Sequence, residues 1–203
     1  MDAKEWDARY ATTEMVWSVT PNQFVADELA DLPPGRAVDL AAGEGRNAIW
    51  LAGRGWDVTA VDFSQVALDK GRGLADREHL DGSVAWVCAD ATTWTADATY
   101  DLVVVAYLQL PPAERREAVR RAFAALRPGG AFLFVAHDSS NLAEGTGGPQ
   151  DPAVLMTADD VLDDLEGTDL ELVRAERVVR QVPQPDGTTL PAYDALVRLQ
   201  RRG

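Results

Sequence analysis

Asp39-Leu40-Ala41-Ala42-Gly43-Glu44-Gly45-Arg46-Asn47 is the most informative stretch of this 203-residue chain. It follows Arg36-Ala37-Val38-Asp39-Leu40, a short apolar run that reads as a strand. It leads into residues 47–54, which read as a helix with Ala48, Ile49, Leu51 and Ala52 on its apolar face and Gly55 at its end. Gly43 and Gly45 carry no side chain where a ligand must reach the backbone. The exposed N–H groups of a helix start favour a carboxylate or phosphate. The whole is a strand, a glycine loop and a helix in succession.

The same alternation continues on the carboxyl-terminal side. Residues 57–62 read as a second strand, and residues 64–71 as a helix with Ser64 as its cap. Residues 83–89 and 100–107 read as a third and a fourth strand. The fourth is apolar on both faces and so belongs in the middle of a parallel sheet. Residues 112–126 form a helix with Val119, Ala122, Phe123 and Leu126 at helical spacing. Pro128-Gly129-Gly130 turns the chain into a fifth strand, 131–136.

On the amino-terminal side, residues 1–32 are helical and rich in aromatic residues, with a second helix running from Pro21 to Leu32. Beyond the fifth strand, residues 138–151 hold Gly, Ser, Asn and Pro, which predicts a long, mobile or functional loop. A helix over 157–165 is capped by Thr157, and strands over 170–182 and 192–201 form a hairpin through Pro183-Gln184-Pro185-Asp186-Gly187. The expected fold is α/β: a Rossmann-like, doubly wound, mostly parallel sheet with a C-terminal antiparallel hairpin, in a single domain over 1–203. Ligands in such sheets bind at the carboxyl ends of the strands.

Asp62 closes the second strand about 20 residues after the loop, where an acid accepts two ribose hydroxyl bonds. Two ligands fit that pattern. Residues 43–48 match G-x-G-x-x-A, which suits the pyrophosphate of a dinucleotide. A nucleoside with an amino-acid tail, S-adenosylmethionine, fits better. Asp39 can hold an ammonium, Asp39 and Glu44 repel a diphosphate, and Asp90 can accept the adenine amino group. The hairpin after the fifth strand points the same way. An NAD(P)-dependent oxidoreductase and a non-catalytic module that binds S-adenosylmethionine remain as alternatives.

Four segments in register resemble class I S-adenosylmethionine-dependent methyltransferases. Asp39-x-x-x-Gly43-x-Gly45 is similar to their first motif, and Asp62-Phe63-Ser64 to the acidic end of their second strand. Asp90-Ala91 is similar to their adenine motif, and Leu126-Arg127-Pro128-Gly129-Gly130 to the turn before their fifth strand. Gly-x-Gly-Arg-Asn resembles the small tellurite-resistance and thiopurine types, with Ala41-Ala42 where those usually carry Gly-Cys. The resemblance implies a methyl transfer to a small-molecule acceptor. It implies that Asp39, Ala41, Gly43 and Gly45 surround the methionine part, that Asp62 binds the ribose, and that Phe63, Asp90 and Ala91 contact the adenine. Ala106 and Tyr107 would lie near the sulfonium, and Trp6, Tyr10 and Trp17 in an amino-terminal lid. Residues 1–32 are then the lid, 36–136 the cofactor-binding core and 137–203 the substrate side.

His137 follows the fifth strand at the rim, so His137 and Tyr107 are the catalytic candidates; a histidine that only bonds the loop is the other reading. Tyr107-Leu108-Gln109-Leu110-Pro111-Pro112 lacks the acid or amide that amino-methylating enzymes carry before their prolines, and Gln109 is a candidate substrate contact. No metal site is expected. The pairs Asp159-Asp160 and Asp163-Asp164 read as a solvated face, and so do Arg115-Arg116 and Arg120-Arg121. His79 reads as solvated, and Cys88, the one cysteine, as an inert core thiol. The net charge of -14 disfavours nucleic acid and anionic lipid as partners. No stretch reaches the ~20 apolar residues of a membrane span, and no signal pattern opens the chain. A cytoplasmic protein is expected; the sequence leaves the oligomeric state open.

Overall fold

A computed structural model describes residues 3–12 and 20–203. Seven strands form one sheet: β1 (Arg36–Leu40), β2 (Asp57–Asp62), β3 (Ser83–Cys88), β4 (Tyr100–Ala106), β5 (Leu126–His137), β6 (Leu170–Pro183) and β7 (Thr189–Arg201). Their order is β3-β2-β1-β4-β5-β7-β6. The first five are parallel, and β7 runs antiparallel to both β5 and β6. The expected mostly parallel sheet with a terminal hairpin is the one observed. Between β1 and β4 the chain order reverses, which opens a crevice at the carboxyl ends of those strands.

Side-chain alternation along the central strands splits the core into two layers. Val38, Leu40, Val103, Val105, Phe132 and Phe134 face α5 (Pro112–Ala124) and α7 (Ala158–Asp164). Ala37, Leu102, Val104 and Leu133 face α2 (Gln23–Leu29) and α3 (Arg46–Ala52), meeting Phe24, Val25, Ala48 and Leu51. Two further helices, α1 (Ala3–Ala11) and α4 (Gln65–Ala75), pack against each other.

Caps explain most boundaries. Ser64 accepts from the Ala67 N–H and starts α4, as expected. Thr157 and Asp160 form a reciprocal capping box on α7. Asn22, rather than Pro21, starts α2, because its side chain accepts from both Phe24 N and Val25 N. That helix ends at Leu29, short of the expected Leu32. The turn at 128–130 lies within β5, since Leu126 already pairs with Tyr100 before a register shift.

Four surface readings change in three dimensions. The segment after β5 is not a bare loop: it holds α6 (Asn141–Glu144), and Asn141 is buried with Oδ1 accepting from Tyr193 N and Nδ2 donating to Gly147 O. Arg115 is buried, not solvated, and donates from Nε to Asp164 at 2.6 Å. Asp164 is fully buried between Arg115 and Arg116, because the end of α7 abuts α5. Cys88 is exposed rather than core, because β3 is an edge strand. His79 is exposed as expected, 3.6 Å from Asp81. Among the described residues no helix is long and apolar enough to cross a membrane.

Candidate active site

The glycine loop turns sharply out of β1. Ala41, Gly43 and Gly45 all adopt left-handed φ angles of 62°, 56° and 73°. Glycine accepts that conformation freely; Ala41 does so at a cost of roughly 1 kcal/mol. At Gly45 an added Cβ would stand 2.5 Å from two ring carbons of Trp86, so the helix start and the β3 side chain meet with no space between them. Gly45→Ala is expected to lose about 2–4 kcal/mol from strain and overpacking together. Gly73→Ala, in α4 with nothing within 4 Å, is expected to gain up to about 1 kcal/mol. Denaturant titration of the two variants checks the contrast.

Asp39 is fully buried at the tip of β1. Its Oδ2 accepts from the Ala48 N–H at 3.1 Å, while its Oδ1 has no hydrogen-bond partner. Burial pushes this carboxyl up to about 7; the Ala48 N–H and the Arg46 charge pull it down, and the Asp62 charge pushes it up again. A buried carboxylate oxygen without a donor costs free energy that an incoming cation would recover.

Asp62 is buried at the tip of β2, one strand over. Its Oδ2 accepts from Gly43 N at 2.8 Å and its Oδ1 from Ser64 N at 2.9 Å, which leaves one lone pair on each oxygen. Its carboxyl is raised, first by burial and further by Asp7, against the lowering bonds from Ser64 and Gly43. Asp90 follows β3 and is exposed, with Oδ1 accepting from Thr92 N and Oγ1. Ala89 N donates to Asp62 O, so the β2 and β3 tips are joined. Phe63, Ala91 and Ala106 are half-buried around them.

The amino-terminal helix sits at this end of the sheet. Tyr10 is buried, and its ring lies 5.5 Å from that of Trp6. Ser64 Oγ donates to Asp7, and Lys70 Nζ donates to the Tyr10 carbonyl, which ties α1 to α4. Lys70 also lies 3.5 Å from buried Glu44. Trp17, expected in the lid, lies outside the described residues.

A second group of polar side chains gathers at the tips of β4, β5 and β7. Tyr107 has a left-handed φ of 60°, strained for an aromatic residue. Its hydroxyl donates to Asp194 Oδ2 at 2.9 Å and accepts from Asn22 Nδ2 at 3.2 Å. Burial, and then Asp194, raise the phenol well above its usual range. His137 and Asp194 are register partners on β5 and β7, with Nδ1 and Oδ1 3.2 Å apart. Arg180 of β6 donates from Nε to Asp194 Oδ2 at 3.0 Å. Arg46 lies within electrostatic reach of Asp39, Tyr107, Arg180 and Tyr10. Asn47 Oδ1 accepts from Asn22 N, linking the glycine-loop helix to this group. Gln109, expected to touch substrate, instead satisfies both its neighbours when its amide faces Val154 O and His137 N.

Sequence reasoning missed Asp194, Arg180 and Asn22. A signal existed for Asp194: it is a lone carboxylate in the apolar run Ala192-Tyr193-Asp194-Ala195-Leu196-Val197. Nothing in the sequence placed Arg180 or Asn22, which come from opposite ends of the chain.

Comparison with known proteins agrees with this geometry. Residues 37–130 match the family described as methyltransferase domain. A demethylmenaquinone methyltransferase of Clavibacter sepedonicus is 33% identical over 122 residues, which is 60% of this chain and 47% of that protein. A trans-aconitate 2-methyltransferase of Methylobacterium radiotolerans is 35% identical over 127 residues, 60% of this chain and 45% of that one. The chain thus spans about half the length of these curated relatives. The N-methyltransferase NodS of Bradyrhizobium japonicum, solved with S-adenosyl-L-homocysteine, superposes with a TM-score of 0.74 at 18% identity, covering 99% of this chain and 98% of that one. TehB of Haemophilus influenzae superposes with a TM-score of 0.73 at 18% identity, covering 98% and 67%. The strand order, the glycine loop and the matched segment agree: residues 37–130 match the methyltransferase domain family, and the chain has the class I methyltransferase fold.

Proposed function

We propose that this protein is a methyltransferase that binds S-adenosylmethionine and methylates a small molecule. The carrying observation is Asp39, a fully buried carboxylate with one oxygen lacking a donor, set beneath a glycine loop. That is a fit for an ammonium and a misfit for a diphosphate, which the Asp39 carboxylate would repel. This disfavours the nicotinamide alternative. Asp62 offers its two remaining lone pairs to ribose hydroxyls, and Asp90, Phe63 and Ala91 line the adenine end. Trp6 and Tyr10 supply an aromatic cover.

When bound, S-adenosylmethionine supplies an activated methyl group on sulfur. The protein's part is to hold the acceptor in line with the methyl–sulfur bond and to keep water out. Residues 1–32 then act as the lid, 36–136 as the cofactor core and 137–203 as the acceptor side of one domain. The Gly-x-Gly-Arg-Asn loop places it beside the small tellurite-resistance and thiopurine types. A net charge of -14 supports a small-molecule acceptor rather than nucleic acid, and a single cysteine suits the cytoplasm.

Calorimetry with S-adenosylmethionine and S-adenosylhomocysteine tests the reading. Micromolar binding of either is the expected result, with thermal stabilisation of about 2.7 kcal/mol at a hundredfold excess over Kd. Stabilisation by NADH instead would overturn it. Isotope transfer from the methyl-labelled donor separates an enzyme from a module that only binds.

A further inference from the structure

We propose that His137, oriented by Asp194, is the base that takes the proton of a hydroxyl acceptor, and that Arg46 and Arg180 select that acceptor class over amines. The inference rests on the methyltransferase reading above and names the chemistry of its acceptor.

Its first support is the way the imidazole is held. His137 and Asp194 face each other across β5 and β7, so their side chains share one face of the sheet. Nδ1 is buried 3.2 Å from Asp194 Oδ1, an ion-pair distance at which neither atom completes a hydrogen bond, and the side chain keeps 15% of its surface exposed. The exposed part is therefore the edge away from Nδ1. A Cβ on Gly148 would stand 3.0 Å from Nδ1 and 3.1 Å from Cγ and Cε1, so the segment after α6 closes over a ring face. The Tyr107 ring centroid lies 4.9 Å from that of His137. A buried carboxylate 3.2 Å from Nδ1 favours the proton there in the neutral ring and leaves the lone pair on Nε2, at the partly exposed edge.

The second support is Asp194 itself. It is fully buried, a location where an apolar residue would pack at lower cost. Burial pushes its carboxyl up, but the nearby His137 imidazole and the Arg180 guanidinium outweigh this and hold it below the usual carboxylate range. Tyr107 is bent into a left-handed backbone at the same spot, and strain of that kind concentrates at working sites. Its phenol proton is committed to Asp194 and its oxygen accepts from Asn22, so Tyr107 is a positioning residue and not the base.

The third support is charge. Arg180 pairs with Asp194 Oδ2 at 3.0 Å and carries its guanidinium 5.9 Å from the Tyr107 ring centroid, and Arg46 lies within electrostatic reach of the same phenol. The Asp194 carboxylate offsets one of these two guanidinium charges; the remaining positive charge disfavours an ammonium acceptor and stabilises the negative charge that grows on an oxygen as its proton leaves. In the step, the acceptor O–H proton passes to His137 Nε2. The oxygen pair forms the bond to the methyl carbon, and the methyl–sulfur bond breaks with its pair staying on sulfur. S-adenosylmethionine becomes neutral S-adenosylhomocysteine, and the imidazolium proton leaves to solvent.

The test uses protein saturated with S-adenosylhomocysteine, titrated with 4-nitrophenol and with 4-nitrobenzylamine at one pH. The phenol is expected to bind about tenfold tighter or better, with its phenolate absorption rising on binding. His137→Gln and Asp194→Asn should each lose that absorption and about tenfold in phenol affinity, while S-adenosylhomocysteine affinity stays within about twofold. Two variants are used so that a folding defect in one does not decide the matter. Equal or tighter binding of the amine overturns the acceptor class. An unchanged phenolate signal in both variants overturns the base. Failure of S-adenosylhomocysteine itself to bind is a different result, and it removes the reading beneath.

Discussion

Asp39→Asn is expected to stabilise the ligand-free protein above pH 7 and to weaken cofactor binding by roughly a hundredfold. The first effect follows from linkage. Asp39 has a folded pKa of about 7 against the ordinary aspartate value of 3.8, a rise caused mainly by burial. The folded state therefore binds this proton more tightly than the unfolded chain. Its contribution to stability is fully present below about pH 4 and is lost as pH rises to about 7, a loss on the order of 4 kcal/mol. Asparagine avoids that loss, and its carbonyl oxygen still accepts from Ala48 N. The second effect follows from the same atom: removing one charge of a buried pair costs about 2–5 kcal/mol in affinity. Thermal unfolding at pH 5 and pH 8, with and without S-adenosylhomocysteine, reads both. A variant less stable than wild type at pH 8, or one binding the ligand equally well, would show that the carboxylate serves the loop alone.

Asp164→Ala should destabilise the fold by about 3–5 kcal/mol while leaving S-adenosylhomocysteine affinity unchanged. Asp164 is fully buried and receives Arg115 Nε at 2.6 Å and Arg116 Nε at 3.2 Å. Arg120 donates to its backbone carbonyl at 2.7 Å. The substitution strands the buried Arg115 guanidinium without its anion. The double variant Arg115→Met, Asp164→Leu removes both charges and is expected to recover most of the loss, since apolar replacement of a buried pair is often neutral or better. Urea denaturation, compared through the midpoint at constant slope, measures both. A loss under about 1 kcal/mol for the single variant would mean that the pair is as weak as a surface one.

The parallel core was legible because its strands carry their own information. Val103-Val104-Val105 is apolar on both faces, and only a strand covered by helices on both sides can bury such a run. Ser64 and Thr157 announced helix starts because a cap acts on N–H groups two or three residues away. The positions of Asp39, Asp62 and the glycines at the first two strand tips were equally readable, because they sit on one strand-and-loop stretch of sequence. Residues 115, 164 and 88 were misread for one reason. A helical wheel or strand pattern says which face is polar, and it does not say what abuts that face.

From the order of residues alone came the element types, the parallel sheet, its terminal hairpin and the carboxylates at successive strand tips, since each depends on neighbours within one or two turns of chain. Packing added the polar group at the tips of β4, β5 and β7. Asn22, Tyr107, His137, Arg180 and Asp194 meet only when β7 inserts antiparallel between β5 and β6 and sets His137 opposite Asp194. A hydrogen bond and an ion pair between groups 87 and 57 residues apart in sequence leave no local trace, because their partners are chosen by the register of strands that lie last in the chain.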